Sequence, residues 1–247
     1  MHPDVREILE DAEERAEDAE RAFETVEARD FVAAVEETKA EGRVPVIAEV
    51  KPTSPTTDGT VALNPAETAR EMVAGGATAI SVLTEPERFG GSLDALREVR
   101  DAVDVPVLRK DFIVDRRQIR EVRADLLLLI VAFVDGLDTL VDEARRAGFE
   151  PLVETHTRGE LERAVETDAR VIGVNSRDLR KLEVDLSNAE ELLPHVPDDR
   201  VAVAESGMEE PEDVRRMMEA GADAVLVGTA ITRADDIREK TRQLVEA

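Results

Sequence analysis

Six polar side chains fall at the ends of short apolar runs, where core residues would be expected. Glu49 and Lys51 close Val46 to Lys51, Lys110 closes the run after Pro106, and Glu154 follows Leu152-Val153. Asn175 ends Val171 to Asn175, and Glu205 ends Val201 to Glu205. Side chains alternate across a strand, so Glu49 and Lys51 share one face while Ala48 and Val50 take the other. Desolvating such ions is costly unless they pair or do chemistry. Lysines and glutamates with no metal or nucleotide motif suit proton transfer on a carbonyl compound. A desolvated lysine can serve as general acid near neutral pH, and a glutamate with a raised pKa as base.

Other candidates cluster at the same ends. Arg109 and Asp111 flank Lys110, His156 lies two residues beyond Glu154, and Arg177 follows Asn175. Ser206-Gly207 and Gly228-Thr229 each pair a hydroxyl with a glycine, which lets backbone N–H groups approach an anion closely. Two such turns point to a phosphorylated substrate. Phe89 and Phe112 lie just past strand ends in a chain with six phenylalanines and no Trp or Tyr, placed to wall an aromatic substrate.

The elements that must hold these residues repeat a theme of apolar run, polar turn and helical pattern. Strands are expected at Val46 to Lys51, Ala79 to Thr84, Pro106 to Lys110, Leu126 to Ala132, Pro151 to His156, Val171 to Asn175, Val201 to Glu205 and Ala224 to Gly228. Helical spacing marks Pro65 to Ala74, Leu93 to Val103, Leu137 to Ala147, Arg158 to Glu166 and Pro211 to Ala220. Before them, residues 3 to 38 carry one narrow apolar stripe through Val5, Ile8, Ala12, Ala16, Ala19, Phe23 and Val26, read as a single helix lying against the body until Gly42 and Pro45 break it. The expectation is an α/β chain: an N-terminal helical extension over 1–44, then a (β/α)8 TIM barrel over 45–247. Its site lies at the C-terminal ends of the strands. A doubly wound open sheet is the alternative, but no Gly-x-Gly-x-x-Gly follows any strand.

Composition narrows the function. The chain has no cysteine, and His2, His156 and His195 are scattered, so neither a metal site nor a cofactor is expected. A net charge of -25 argues against nucleic-acid and anionic-membrane partners. The longest apolar run, Leu126 to Val134, is far short of the roughly 20 residues a membrane helix needs. With no signal-like N-terminus, a cytoplasmic location is expected. The excess of 57 acidic over 32 basic residues resembles proteins of halophilic organisms.

Several blocks together resemble the indole-3-glycerol-phosphate synthase family of tryptophan biosynthesis, from about Val46 to the end. They are Ala48-Glu49-Val50-Lys51 with Ser54-Pro55, Ser81 to Pro86 leading to Phe89-Gly90-Gly91-Ser92, Leu108 to Phe112, Leu152-Val153-Glu154, Asn175 with Arg177-Asp178-Leu179, Glu205-Ser206-Gly207 and Val227-Gly228. The resemblance implies a carboxy-lyase that closes the indole ring of 1-(2-carboxyphenylamino)-1-deoxyribulose 5-phosphate with loss of carbon dioxide and water. It implies Lys110 as general acid, Glu154 as base, Lys51 gripping the substrate's anionic groups with Glu49 as partner, and Asn175 and Glu205 positioning hydroxyls. Ser206, Gly207, Gly228 and Thr229 would hold phosphate. Leu83, Phe89, Phe112 and Leu179 would line the anthranilate pocket, Ser54 would contribute to substrate binding, and Arg177 would meet the carboxylate. Other tryptophan-pathway enzymes are the expected partners. The alternatives are another phosphosugar barrel, such as phosphoribosylanthranilate isomerase, and an inactive barrel kept for binding. The first would want a cysteine or aspartate pair; the second would erode the strand ends.

Overall fold

In a computed structural model, which describes residues 3–51, 64–178 and 183–247, eight parallel strands close into one barrel in sequence order. They are β1 Val46–Val50, β2 Ala79–Leu83, β3 Val107–Lys110, β4 Leu126–Ile130, β5 Glu150–Thr155, β6 Val171–Asn175, β7 Val201–Glu205 and β8 Ala224–Val227. β8 closes on β1, with Val46 opposite Val225 and Ala48 opposite Val227. The expected strands run up to two residues longer at some ends. Lys51, Thr84, His156 and Gly228 already belong to the loops, and Val131–Phe133 turns into a short 3-10 helix.

Strands covered on both faces read as nearly continuous apolar runs. Ile47, Ala79, Leu108, Leu126, Leu128, Leu152, Val203 and Leu226 fill the barrel interior. Their neighbours Ala48, Val50, Ile80, Val82, Leu127, Leu129, Val153, Ile172 and Val225 point outward against the helices. This alternation decides which charged residues reach the interior. From Leu108 the next inward position is Lys110, from Leu152 it is Glu154, and from Val203 it is Glu205.

The covering helices are α3 Pro65–Ala74, α4 Leu93–Ala102, α5 Leu137–Arg146, α6 Arg158–Val165, α7 Leu186–Leu192, α8 Pro211–Glu219, the single turn α9 Thr229–Thr232 and α10 Ile237–Val245. Asn64, Ser92, Thr157, Asp185 and Asp236 start five of them by accepting a first-turn N–H. Between β3 and β4 stands only a five-residue 3-10 turn, Arg116–Arg120.

The N-terminal reading needs correction. Residues 3 to 40 form two helices, α1 Pro3–Glu17 and α2 Phe31–Ala40, separated by irregular chain. In that connection Ala22 N–H donates to the Arg120 carbonyl and Val26 N–H to the Ala147 carbonyl, bonds that replace intrahelical ones. Phe23 packs on Phe149 at 5.9 Å, with the Arg123 guanidinium 5.1 Å from its ring centroid. Docking on the barrel thus overrides the weak helical stripe. Arg29 then pairs with the buried Asp125 at 3.2 Å, Asp30 caps the second helix, and its Phe31 and Val35 join the barrel-interior cluster.

Candidate active site

The C-terminal end of the barrel carries the layer of polar side chains that alternation dictates. Lys110 Nζ lies 3.0 Å from Glu154 Oε2 and 3.1 Å from Glu205 Oε2, so the ends of β3, β5 and β7 meet in one carboxylate–ammonium–carboxylate group. Lys51 Nζ donates to Thr229 Oγ1 at 3.0 Å and lies 3.4 Å from Glu49 Oε1. Ser81 Oγ donates to the other Glu49 oxygen at 3.3 Å. Asn175 Oδ1 accepts the Arg177 N–H at 3.0 Å, fixing the turn that leaves β6.

Their protonation follows from burial set against pairing. Burial pulls the Lys110 ammonium down, but Glu154, Glu205 and Glu49 outweigh it, so Lys110 is held above the usual lysine range. Burial pushes Glu154 up, yet Lys110 and His156 bring its carboxyl well below the usual range. Glu205 takes the opposite course. Burial, reinforced by the Glu154 charge and only partly offset by Lys110, pushes it up to about 8. The sequence-based picture of a lysine made acidic by desolvation and a base with a raised pKa is therefore corrected. The carboxylates hold Lys110 charged, and the two carboxyls are shifted apart, Glu154 downward by its cations and Glu205 upward by burial. Arg177, half-buried, is lowered by burial against the raising influence of Glu49 and Glu154.

One strand glycine makes this group possible. A Cβ on Gly173 of β6 would collide with Glu205 Oε1 and lie 2.9 Å from Leu152 Cδ2, so only glycine leaves space for the carboxyl. The sequence offers a signal in Gly173, an isolated glycine inside an apolar strand, which marks a close approach.

Of the two glycine turns, Gly228-Thr229 lies beside Lys51, and Gly207 lies against Val184 and Leu186. Ser206 and Gly207 both take left-handed backbone conformations, with φ of 66° and 88°, so the turn reverses sharply directly after Glu205. Gly228 lies against Glu49 and Lys51: a Cβ there would stand 2.6 Å from Glu49 Oε1 and 3.3 Å from Lys51 Nζ.

Three phenylalanine rings cluster where the sequence singled out two. Phe112 lies 6.0 Å from Phe89 and 5.7 Å from Phe133, centroid to centroid. Phe133 ends the short 3-10 helix after β4, inside the apolar run Leu126 to Val134 that gave no sign of a ring at the site. Leu83, at the end of β2, is buried. The loop bearing Phe89 is held by Glu85, a buried carboxylate that accepts the N–H groups of Glu87, Arg88 and Phe89 at 2.8 to 3.0 Å.

Arg109 and Asp111 do not join the site. They flank Lys110 and therefore point out of the barrel, where Arg109 Nη2 lies 3.1 Å from Asp111 and 2.8 Å from Glu121. Asp111 also accepts from Thr84 Oγ1 at 2.6 Å and from Arg15 of the first helix at 3.2 Å. Ser54 and Leu179 lie outside the described residues. Among the described residues no group of three His, Asp or Glu side chains could hold a metal ion, and no helix is long and apolar enough to cross a membrane.

The family model described as indole-3-glycerol phosphate synthase matches residues 1–244. A protein of that name from Haloarcula marismortui is 49% identical over 253 aligned residues, covering 99% of this chain and 93% of its own length. Another, from Halobacterium salinarum, is 55% identical over 224, covering 90% and 89%. Among solved structures, N-acetylmannosamine-6-phosphate 2-epimerase from Clostridium perfringens superposes with a TM-score of 0.62 at 17% identity, over 76% of this chain and 88% of its own. Thiamine phosphate pyrophosphorylase from Pyrococcus furiosus gives 0.59 at 18%, over 81% and 93%. These two share the fold alone.

Proposed function

The chain belongs to the indole-3-glycerol phosphate synthase family, and we propose that it closes the indole ring of 1-(2-carboxyphenylamino)-1-deoxyribulose 5-phosphate, releasing carbon dioxide and water. The observation that carries this reading is Lys110 held between Glu154 and Glu205 at the strand ends, two residues before the clustered Phe112, where Lys51 bonds Thr229.

In this reading the phosphate lies on Ser206, Gly207, Gly228 and Thr229, and the anthranilate ring lies against Leu83, Phe89 and Phe112, with Phe133 behind. Arg177 meets the carboxylate, and Ser54 and Leu179 complete the pocket. As the carboxylate-bearing ring carbon attacks the ribulose carbonyl, negative charge develops on the carbonyl oxygen, and Lys110 gives it a proton. Loss of carbon dioxide restores the aromatic ring. In the second step the new hydroxyl leaves as water with a proton from Lys51, whose carboxylate partner is Glu49, while ionised Glu154 removes the proton whose loss completes the indole. That proton then lies 3.0 Å from the neutral amine left on Lys110, and its transfer resets both groups. Glu205, with Asn175, hydrogen-bonds substrate hydroxyls. The substrate enters as a carboxylate and leaves a neutral gas, so each turnover takes up one proton from solvent, which restores Lys51.

Residues 1–44 serve as an extension docked on the barrel of 45–247, and the reaction is assigned to the cytoplasm, beside other tryptophan-pathway enzymes. The test is an assay in chelator that follows indole fluorescence, carbon dioxide and proton uptake together. Equal amounts of all three are expected. Folded protein that makes no indole, or that isomerises phosphoribosylanthranilate instead, overturns the reading.

A further inference from the structure

We propose that His156 and Glu160 form a positioning pair that holds Glu154 in place as a base after Lys110 has given up its proton. The inference rests on Glu154 being the base of the proposed reaction.

Glu154 presents its two oxygens to different partners. Oε2 faces Lys110 inside the barrel, and Oε1 lies 3.1 Å from His156 Nε2. The far side of the imidazole is also occupied, with Nδ1 3.4 Å from Glu160 Oε2 on the first turn of α6. That same oxygen accepts the His156 backbone N–H at 2.7 Å, which fixes it against the ring. Neither ring contact has ideal hydrogen-bond angles, but both carboxylates lie within ion-pair distance of the imidazole. Asn188 of α7 donates to the His156 carbonyl at 3.2 Å, holding the backbone without adding charge. On the other side Lys110 from β3 pairs with Glu154 Oε2, Glu205 from β7 pairs with Lys110, and the Arg177 charge also acts on Glu154.

The pair matters because the charge on Lys110 is transient. While Lys110 is an ammonium, it keeps Glu154 ionised. Once its proton has gone to the substrate, Glu154 faces a neutral amine in a buried site, where desolvation favours the protonated acid. A carboxylic acid cannot take the last proton. Burial pulls the His156 imidazolium down, but Glu154 and Glu160 raise it to about 9, so it stays charged at neutral pH. With Arg177, whose charge also acts on Glu154, His156 on Oε1 remains beside the carboxylate through the second step, and Glu160 keeps the imidazolium charged.

The test measures kcat and KM against pH for the wild-type protein, His156→Gln and Glu160→Gln. His156→Gln should lower kcat about tenfold near neutral pH with KM little changed. Its acid limb should move to higher pH, because Glu154 now protonates more readily. Glu160→Gln should move the alkaline limb to lower pH, because His156 loses its charge sooner. Reduced kcat with both limbs unmoved, or wild-type kinetics in both variants, would overturn the pair. Glu154→Gln separates the two claims: if it retains wild-type kcat, the assignment of the base has failed rather than the role of His156.

Discussion

At the scale of single residues, the site holds two carboxyls of the same type whose pKa values are pushed in opposite directions. Glu154 and Glu205 both bond Lys110 within 0.1 Å of the same distance, yet Glu154 has His156 on its other oxygen, whereas Glu205 Oε1 has no hydrogen-bond partner among the described residues. The sign of the resulting pH effect can be worked out for Glu205. Its native pKa, about 8, lies above the ordinary 4.5, so between these values the unfolded chain releases a proton that the native state keeps. Stability from this group is full below about 4.5 and is lost as pH rises through 8. Thermal melting from pH 5 to 8 should therefore show Glu205→Gln gaining stability relative to wild type as pH rises. A difference that is constant across the range would mean Glu205 is ionised throughout. The sequence placed the two glutamates at strand ends but could not divide their states. That division depends on His156 and Lys110 arriving from other elements, and on the space left by Gly173.

At the scale of elements, strands and most helices were legible because their signals are local: apolar runs, capping residues and period 3.6. The N-terminal stripe misled because the decisive contacts are not local. Phe23 and Val26 fit a helical face, but the backbone N–H groups of Ala22 and Val26 go to Arg120 and Ala147, about 100 positions away. Arg109 and Asp111 illustrate a related limit. Position at a strand end marked them as site candidates, while strict alternation sends them outward, and attention to the face rather than the end would have excluded them. Outside the barrel they still matter, because Asp111 joins Arg15 of the first helix to the backbone N–H of Phe112. Arg15→Ala should cost about 2 kcal/mol in denaturant unfolding, as expected for lost hydrogen bonds to a buried carboxylate. In steady-state kinetics it should raise KM more than it lowers kcat, because the loosened element bears Phe112. Unchanged stability would mean the first helix is not anchored there.

At the scale of the whole molecule, charge sets two opposing demands. A net charge of -25 repels an anionic substrate and destabilises the compact state through self-repulsion. The local answer is concentration of cations: two of the five lysines, Lys51 and Lys110, lie inside the barrel mouth with Arg177 beside the strand that follows. The global answer is screening, since the Debye length falls from about 10 Å at 0.1 M salt to about 3 Å at 1 M. The melting temperature should therefore rise steadily from low to molar salt. A flat response would remove the salt-adapted reading while leaving the enzyme in place. Composition supported that reading; it could not bring Lys51 and Lys110 to their carboxylate partners, which meet only once the barrel closes.

The most direct measurement compares wild type and Lys110→Ala in substrate binding and in indole formation by fluorescence. Wild type should produce indole, and the variant should bind 1-(2-carboxyphenylamino)-1-deoxyribulose 5-phosphate with similar affinity while its turnover falls about 100- to 10,000-fold, the usual weight of a general acid. A variant that loses binding but turns over whatever it does bind would contradict the role given to Lys110. A folded wild-type protein that forms no indole would contradict the function itself.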